Sequence, residues 1–312
     1  MSLTPESTHM LTWLFSELGT IKSYRFMQGF GVNTYKWVNA DGKAVLIKYH
    51  WKPLRGVQSI DSKESKRLAG IDPDIASRDL FNTNGKTVDY EILVQIMKMS
   101  DEDKYDFDPL DDTKTWPENK FPLIPVGKMV LNKNPGNFFA EVEQSAFCPA
   151  TIVPRIDFSN DKLPQGRVFS YTDTQIYRLG TNYLELPINR PKVSVNNNQQ
   201  DGFMQILPNH GSTNYYPNTL GDGLPKQAPE TEIPEVVYTK GNEVRKPINK
   251  KNDYAQAGER YLSLNATDQD HLVSNIVESL SYALNPIQKK MLANFMKANK
   301  ELGNRIASGL KI

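Results

Sequence analysis

The chain has 312 residues, with 37 lysines and arginines against 36 acids and a formal charge of +1. Such an even balance gives no bulk electrostatic drive toward nucleic acid or an anionic membrane, and no apolar run approaches the roughly 20 residues that span a bilayer. A single cysteine, Cys148, excludes an intramolecular disulfide framework. Mean hydropathy is −0.54 and aromatics are 10%, which describes a soluble globular chain with generous polar loops. The first residues, MSLTPESTHMLTWLF, lack the basic start and small-residue cleavage site of a secretory signal, so the expected compartment is the cytoplasm.

In chain order, residues 4–18 read as a helix. Thr4 suits its N-cap, Pro5 its first position, and Leu11, Leu14, Phe15 and Leu18 give apolar spacing before Gly19 ends it. Two aromatic and β-branched runs, Ser23 to Val38 and Lys43 to Lys52, flank Asn39-Ala40-Asp41-Gly42, a strong hairpin signal. Residues 61–79 read as one or two short helices, Asp89 to Met99 as a strand, and Asp101 to Asp112 as an acidic loop. Leu123 to Asn132 is a further strand, which Pro122 and Pro125 mark as edge-like or bulged. Strands in hairpin order argue an antiparallel sheet.

From Asn134 the character changes. Phe138, Val142 and Ala146 stand at helical spacing before Pro149, and 150–162 reads as loop. The stretch from Pro187 to about Pro247 is rich in Asn, Gln, Pro and Gly, a composition suited to an extended wrapping segment. Residues 254–312 are helical again, with Leu272, Ile276 and Leu280 in one stripe and Pro286 opening a further helix. His50, His210 and His271 are scattered without metal-ligand spacing, and Cys148 beside Pro149 suits packing as a small hydrophobe.

The densest chemistry lies in Gln165 to Asn182. Arg167, Tyr171, Thr174 and Arg178 fall at i, i+4, i+7 and i+11, one face of one helix. A phenol flanked by arginines is biased toward its anion, a hard oxygen ligand suited to ferric iron. Spacing alone also fits an amphipathic surface helix whose tyrosine lies among solvated arginines.

The full string, RVFSYTDTQIYRLGTNY, resembles the proximal segment of the haem catalases, a family whose haem iron is held by tyrosine. Further segments resemble the same family in the same order: TPESTHMLTWLFS, GFGVNTYKWVNADGKAVLIKYHWKP, TKTWPENKFPLIPVGKMVLNKNPGNFFAEVEQSAF and NYYPN. The resemblance implies an α+β, catalase-like fold. Residues 1–150 would form the second half of an antiparallel β-barrel with connecting helices. Residues 151–250 would wrap and carry the proximal haem helix (163–182), and 251–312 would form a C-terminal helical domain. It also implies haem as cofactor, Tyr171 as axial iron ligand, Arg167 stabilising its phenolate and Arg178 meeting a propionate. Hydrogen peroxide is the implied substrate and a homotetramer the implied assembly, with no nucleic acid or membrane partner.

Some family members bind NADPH, and the matching positions here include His9, Ser16, Lys52 and Trp116. Leu18 and Glu118 stand where a binder is expected to present Arg and His, so weak or no NADPH binding is expected. Asn33 stands where relatives carry a histidine that supports the proximal arginine. The distal histidine and asparagine of the family lie in a motif upstream of Thr4, so none of the family's distal catalytic residues is matched. The sequence is therefore expected to be the C-terminal portion of a catalase. Its alternative reading is a non-catalytic remnant or assembly subunit with weak or no haem binding.

Overall fold

A computed structural model describes residues 1–83, 88–193 and 251–312, together with 204–206, 213–220, 225, 226, 244 and 247. In chain order the elements are α1 (Ser7–Leu14), β1 (Gly29–Phe30), β2 (Tyr35–Val38), β3 (Ala44–Pro53), α2 (Ser62–Ile71), α3 (Ile75–Asn82), β4 (Val88–Lys98) and β5 (Ile124–Leu131). They continue with β6 (Ile156–Phe158), α4 (Lys162–Leu179), α5 (Ala255–Ser263), α6 (Ala266–Ser281), α7 (Asn285–Ala298) and α8 (Lys300–Leu310). This is mixed α+β structure with antiparallel strands, and the described strands do not close into a barrel. No helix among the described residues is long and apolar enough to cross a membrane. Most of the stretch from 187 to 247, His210 included, lies outside the described residues. Two compact units result: Met1–Thr34, Leu46–Lys133 and Thr239–Ile312 form one, Tyr35–Val45 and Asn134–Tyr238 the other.

In the first unit, α1 and the C-terminal helices share a core of Leu11, Tyr261, Leu272, Ile276, Met291, Phe295, Leu302 and Ile306. The helix expected over 4–18 is shorter. Thr4 and Pro5 form a turn in which Ser7 Oγ donates to the Thr4 carbonyl at 2.7 Å, and Glu6, whose side chain makes no capping bond to the helix, takes the cap position. Thr8, Leu11 and Thr12 face inward while Leu14 is exposed, so the buried stripe is partly polar. Apolar spacing could not show that. Pro286 does lie in the first turn of α7, and Asn299 caps α8 by accepting from the Leu302 N–H at 3.0 Å. Gly258 allows α5 to approach the end of α7, since a Cβ there would stand 2.2 Å from the Ala298 carbonyl oxygen.

The same unit holds the sheet in which β4 neighbours β3 and β5. The β4–β5 register runs from Val88↔Leu131 to Val94↔Ile124 and skips one β5 residue between Gly127 and Pro125. This is the bulge that Pro125 signalled, on a strand lying at the sheet edge. The expected strand over 23–38 is broken instead. Tyr24–Phe26 is a 3₁₀ turn, pinned by Arg25 donating through Nε and Nη2 to both Asp79 oxygens at 2.7 Å.

Polar groups also hold the sheet to the loop that follows it. Gln95 is buried on β4 and donates to the carbonyls of Trp116 and Phe121 at 2.9 and 2.7 Å. Its Oε1 lies 3.0 Å from His50 Nε2. His9 Nε2 accepts from the Trp13 indole at 2.9 Å, so its Nδ1 carries the proton and donates to the Thr113 carbonyl at 2.8 Å. Burial pulls both imidazoles below their ordinary 6.5.

In the second unit, the hairpin turn forms as its Asn-Ala-Asp-Gly signal indicates. Gly42 adopts φ +75°, and the Asn39 side chain accepts from the Asp41 and Lys43 N–H groups at 3.0 and 2.9 Å. Strand β2 pairs antiparallel with β6, Tyr35 opposite Phe158. A strand of only three residues carries no readable alternation, which is why 150–162 reads as loop. The helix expected before Pro149 reduces to a π-helix over Phe139–Glu143.

The buried histidines give a pH dependence. Unfolded chains take a proton near 6.5 and the folded imidazoles resist it, so their contribution is complete above that value and is lost progressively as pH falls from 6.5 toward the lower folded values. The melting temperature should drop by several degrees between pH 7.5 and 5.5. A His9→Asn, His50→Gln double variant should flatten that slope, and an unchanged slope would show that other groups carry it.

Candidate functional sites

Helix α4 begins where Asp161 accepts from the Leu163 N–H at 3.1 Å and ends at Gly180. Gly180 holds φ +112° while its N–H closes onto the Ile176 carbonyl at 2.9 Å. A Cβ at Gly180 would come within 3.2 Å of the Met204 methyl, so the exit needs glycine both in angle and in space. The segment read as 163–182 thus spans Lys162–Leu179. Pro164 and Gln175 form its buried edge, and Phe169 and Tyr177, 81% and 91% exposed, lie away from it.

Tyr171 stands beside the buried edge, half-buried. Arg167 Nη2 donates to its phenolic oxygen at 2.8 Å, and the guanidinium carbon is 5.1 Å from the ring centroid. One helical turn separates the two residues, so the contact needs no tertiary adjustment. Arginine has donors only and stays charged, so the tyrosine oxygen must present a lone pair to it.

Arg178 does not stand free on that face. Its Nη1 donates to the Glu143 carbonyl, its Nη2 to the Ser145 carbonyl at 2.7 Å and to Gln175 Oε1 at 2.5 Å, and its Nε to Gln175 Oε1 at 3.1 Å. Gln175 in turn donates to the Phe147 carbonyl at 3.2 Å. The arginine therefore clamps the π-helix and the turn after it onto α4. Such a clamp satisfies carbonyls that an irregular helix leaves open. Nothing in the residue pattern singled out Gln175, although its place three residues before Arg178 is a helical contact distance. Cys148 Sγ lies 4.0 Å from Thr172 Oγ1. Among the described residues, no histidine belongs to this unit: His9, His50 and His271 all lie in the other.

In the first unit, a groove of about 540 Å³ gathers Ser16, Leu18, Lys52 and Glu118 from the positions matched to NADPH binding. His9 and Trp116 do not line it; both are buried in hydrogen bonds, Trp116 donating to the Pro109 carbonyl at 3.1 Å. Lys52 Nζ is 3.9 Å from a Glu118 oxygen, a solvent-exposed pair worth little. Arg260 also lines the groove, with its guanidinium over Trp13 at 4.1 Å and held below its ordinary basicity by burial. Glu17 and Asp268 add two carboxylates. Acids thus offset both cations, and the groove lacks the net positive field that a polyphosphate needs. Asn33, at the position where relatives carry a histidine that supports the proximal arginine, donates its amide to Asp112 Oδ1 at 2.9 Å.

Comparison with known proteins matches residues 1–222 to the family model described as Catalase, and residues 247–310 to the one described as Catalase-related immune-responsive. The chain is 43% identical to Catalase-1 of Arabidopsis thaliana over 312 residues, 99% of this chain and 63% of that protein. It is 44% identical to Catalase isozyme 2 of Gossypium hirsutum with the same coverage. With Catalase isozyme 1 of Zea mays it shares 47% over 280 residues, 89% of this chain and 56% of that protein. This chain belongs to the catalase family. It spans about 63% of the length of the first two relatives.

Arg178→Ala should free the π-helix from α4. Amide exchange over residues 139–146 should speed up by at least about tenfold, for the loss of charge-assisted bonds worth roughly 1.5–3 kcal/mol; unchanged protection would mean that Arg178 braces nothing. Glu118→Gln should strengthen NADPH binding by about two- to tenfold from a weak baseline. Tight, saturable binding by the unmodified chain would contradict the charge argument.

Proposed function

We propose that this chain carries the proximal side of a haem site and serves the disproportionation of hydrogen peroxide to water and oxygen. The observation that carries the reading is the Arg167–Tyr171 bond of 2.8 Å on α4, in a chain of the catalase family. The residues fit the group: a hard oxygen donor fixed at one helix position, with a permanent cation on it. Tyr171 would hold the iron through its phenolic oxygen, and Arg167 would donate to that oxygen and stabilise it as a ligand. Arg178 has one Nη1 hydrogen beyond the four bonds described, enough for a single contact to a propionate while the clamp stays closed. Haem, when bound, supplies the redox-active iron at which peroxide is consumed. The finer fold reading belongs to the same proposal: barrel strands, a haem-bearing wrapping segment over 151–250, and a helical domain over 251–312. So do the homotetramer and a cytoplasmic setting. NADPH plays little part in it, for the charge reason given above.

A second reading has its own support. Moving a proton between the peroxide oxygens needs a positioned acid–base group. Among the described residues, the unit bearing Tyr171 has no histidine, and His9 and His50 are committed to internal hydrogen bonds. That favours a protein that binds haem weakly, or supports assembly, without turning over peroxide on its own.

Titration of the purified full chain with haem, followed by the Soret band, tests the ligand assignment. Tyr171→Phe should weaken binding by at least about tenfold and change the spectrum, and Arg167→Ala should do so less severely. An unchanged spectrum in Tyr171→Phe would refute the assignment. Oxygen evolution by the haem-loaded chain then separates the two readings: turnover supports the first, and bound haem without turnover the second.

A further inference from the structure

The first unit also brings together three side chains that share no local pattern in the sequence. Glu17 sits in the 3₁₀ turn Glu17–Gly19, while Asp268 and His271 occupy the first turns of α6, three residues apart on one helix face. Glu17 and His271 are 254 residues apart in sequence, yet Glu17 Oε1 and His271 Nδ1 lie 2.6 Å from each other. The three ligand atoms, one per residue, all lie within 4.8 Å of one another. We propose that Glu17, Asp268 and His271 form a binding site for a divalent transition-metal ion, Zn²⁺ in the first instance, tying the turn after α1 to α6.

The chemistry matches the ion. Carboxylate oxygens and imidazole nitrogens are both zinc ligands, with metal–ligand bonds near 2.0–2.2 Å. Donors around one tetrahedral ion then stand about 3.3 Å apart. The 2.6 Å contact and the 4.8 Å limit bracket that spacing, so small side-chain rotations complete the arrangement. In effect the metal takes the place of the proton now shared by Glu17 and His271. The fourth position faces water, because Glu17 and His271 are each about 40% exposed. Asp268 is oriented from behind: Asn265 Nδ2 donates to its Oδ2 at 2.8 Å, leaving the other oxygen for a metal. Arg260 is the opposing charge, since it interacts with Asp268. Two carboxylates still leave the cluster negative, which suits a dication better than a monocation. The same carboxylates line the groove described above, so a bound dication would also change the charge that the groove presents.

The test is calorimetric titration of the full chain with ZnCl₂, in a Cys148→Ser background that removes the free thiol as a competitor. One Zn²⁺ should bind per chain and raise the melting temperature. Glu17→Gln and His271→Gln should each weaken binding by at least about tenfold. Both variants are at the surface and keep hydrogen-bonding side chains, so circular dichroism should stay unchanged. Co²⁺ in place of zinc should give a strong visible d–d absorption that His271→Gln abolishes. Binding that vanishes with Cys148→Ser, that is undiminished in the Glu17 and His271 variants, or that is absent altogether would overturn the proposal.

Discussion

One guanidinium donating to one phenolic oxygen, 2.8 Å away and a single helical turn further on, is the contact around which the second unit makes sense. Arginine cannot lose its charge or turn acceptor, so it fixes the electronic role of the tyrosine oxygen without help from solvent. That role depends on the helix staying a helix. Asp161 at one end and Gly180 at the other set its length. Arg178 and Gln175 fasten the adjoining π-helix and Phe147 carbonyl to it. The same face thus contains one arginine bonded to the tyrosine oxygen and one that holds neighbouring backbone, a division that identical residue types conceal.

Several elements were legible because the local chemistry left few options. The i, i+4 pair of Arg167 and Tyr171 needed only a helix to meet. The Asn39–Gly42 turn needed a positive φ that Gly42 supplies, and Pro125 could not sit in a regular central strand, so β5 is bulged and at an edge. Failures came where tertiary contacts outweigh local pattern. Phe138, Val142 and Ala146 keep helical spacing, yet the chain forms only a π-helix that Arg178 holds from a distance in sequence. Strand β6 exists because β2 pairs with it, not because Ile-Asp-Phe alternates. Nothing in the spacing of Arg178 showed that it would also donate to two backbone carbonyls. His271 looked isolated because its partner Glu17 comes from the other end of the chain.

The first unit shows a different economy. Its buried polar groups are nearly all engaged: Gln95 spans two carbonyls and a histidine, and His9 spans a carbonyl and an indole. Such fully satisfied networks fix one loop path where apolar packing would tolerate several. They also explain why two of the four histidines are unsuited to acid–base work, and why family membership and peroxide turnover are separate questions for this chain.

Resonance Raman spectroscopy of the ferric haem complex tests the central claim most directly. Ligation by Tyr171 requires iron–phenolate and tyrosinate ring modes that disappear in Tyr171→Phe. A complex that lacks those modes, or keeps its spectrum in the variant, would contradict the assignment of α4 as the haem-ligating helix.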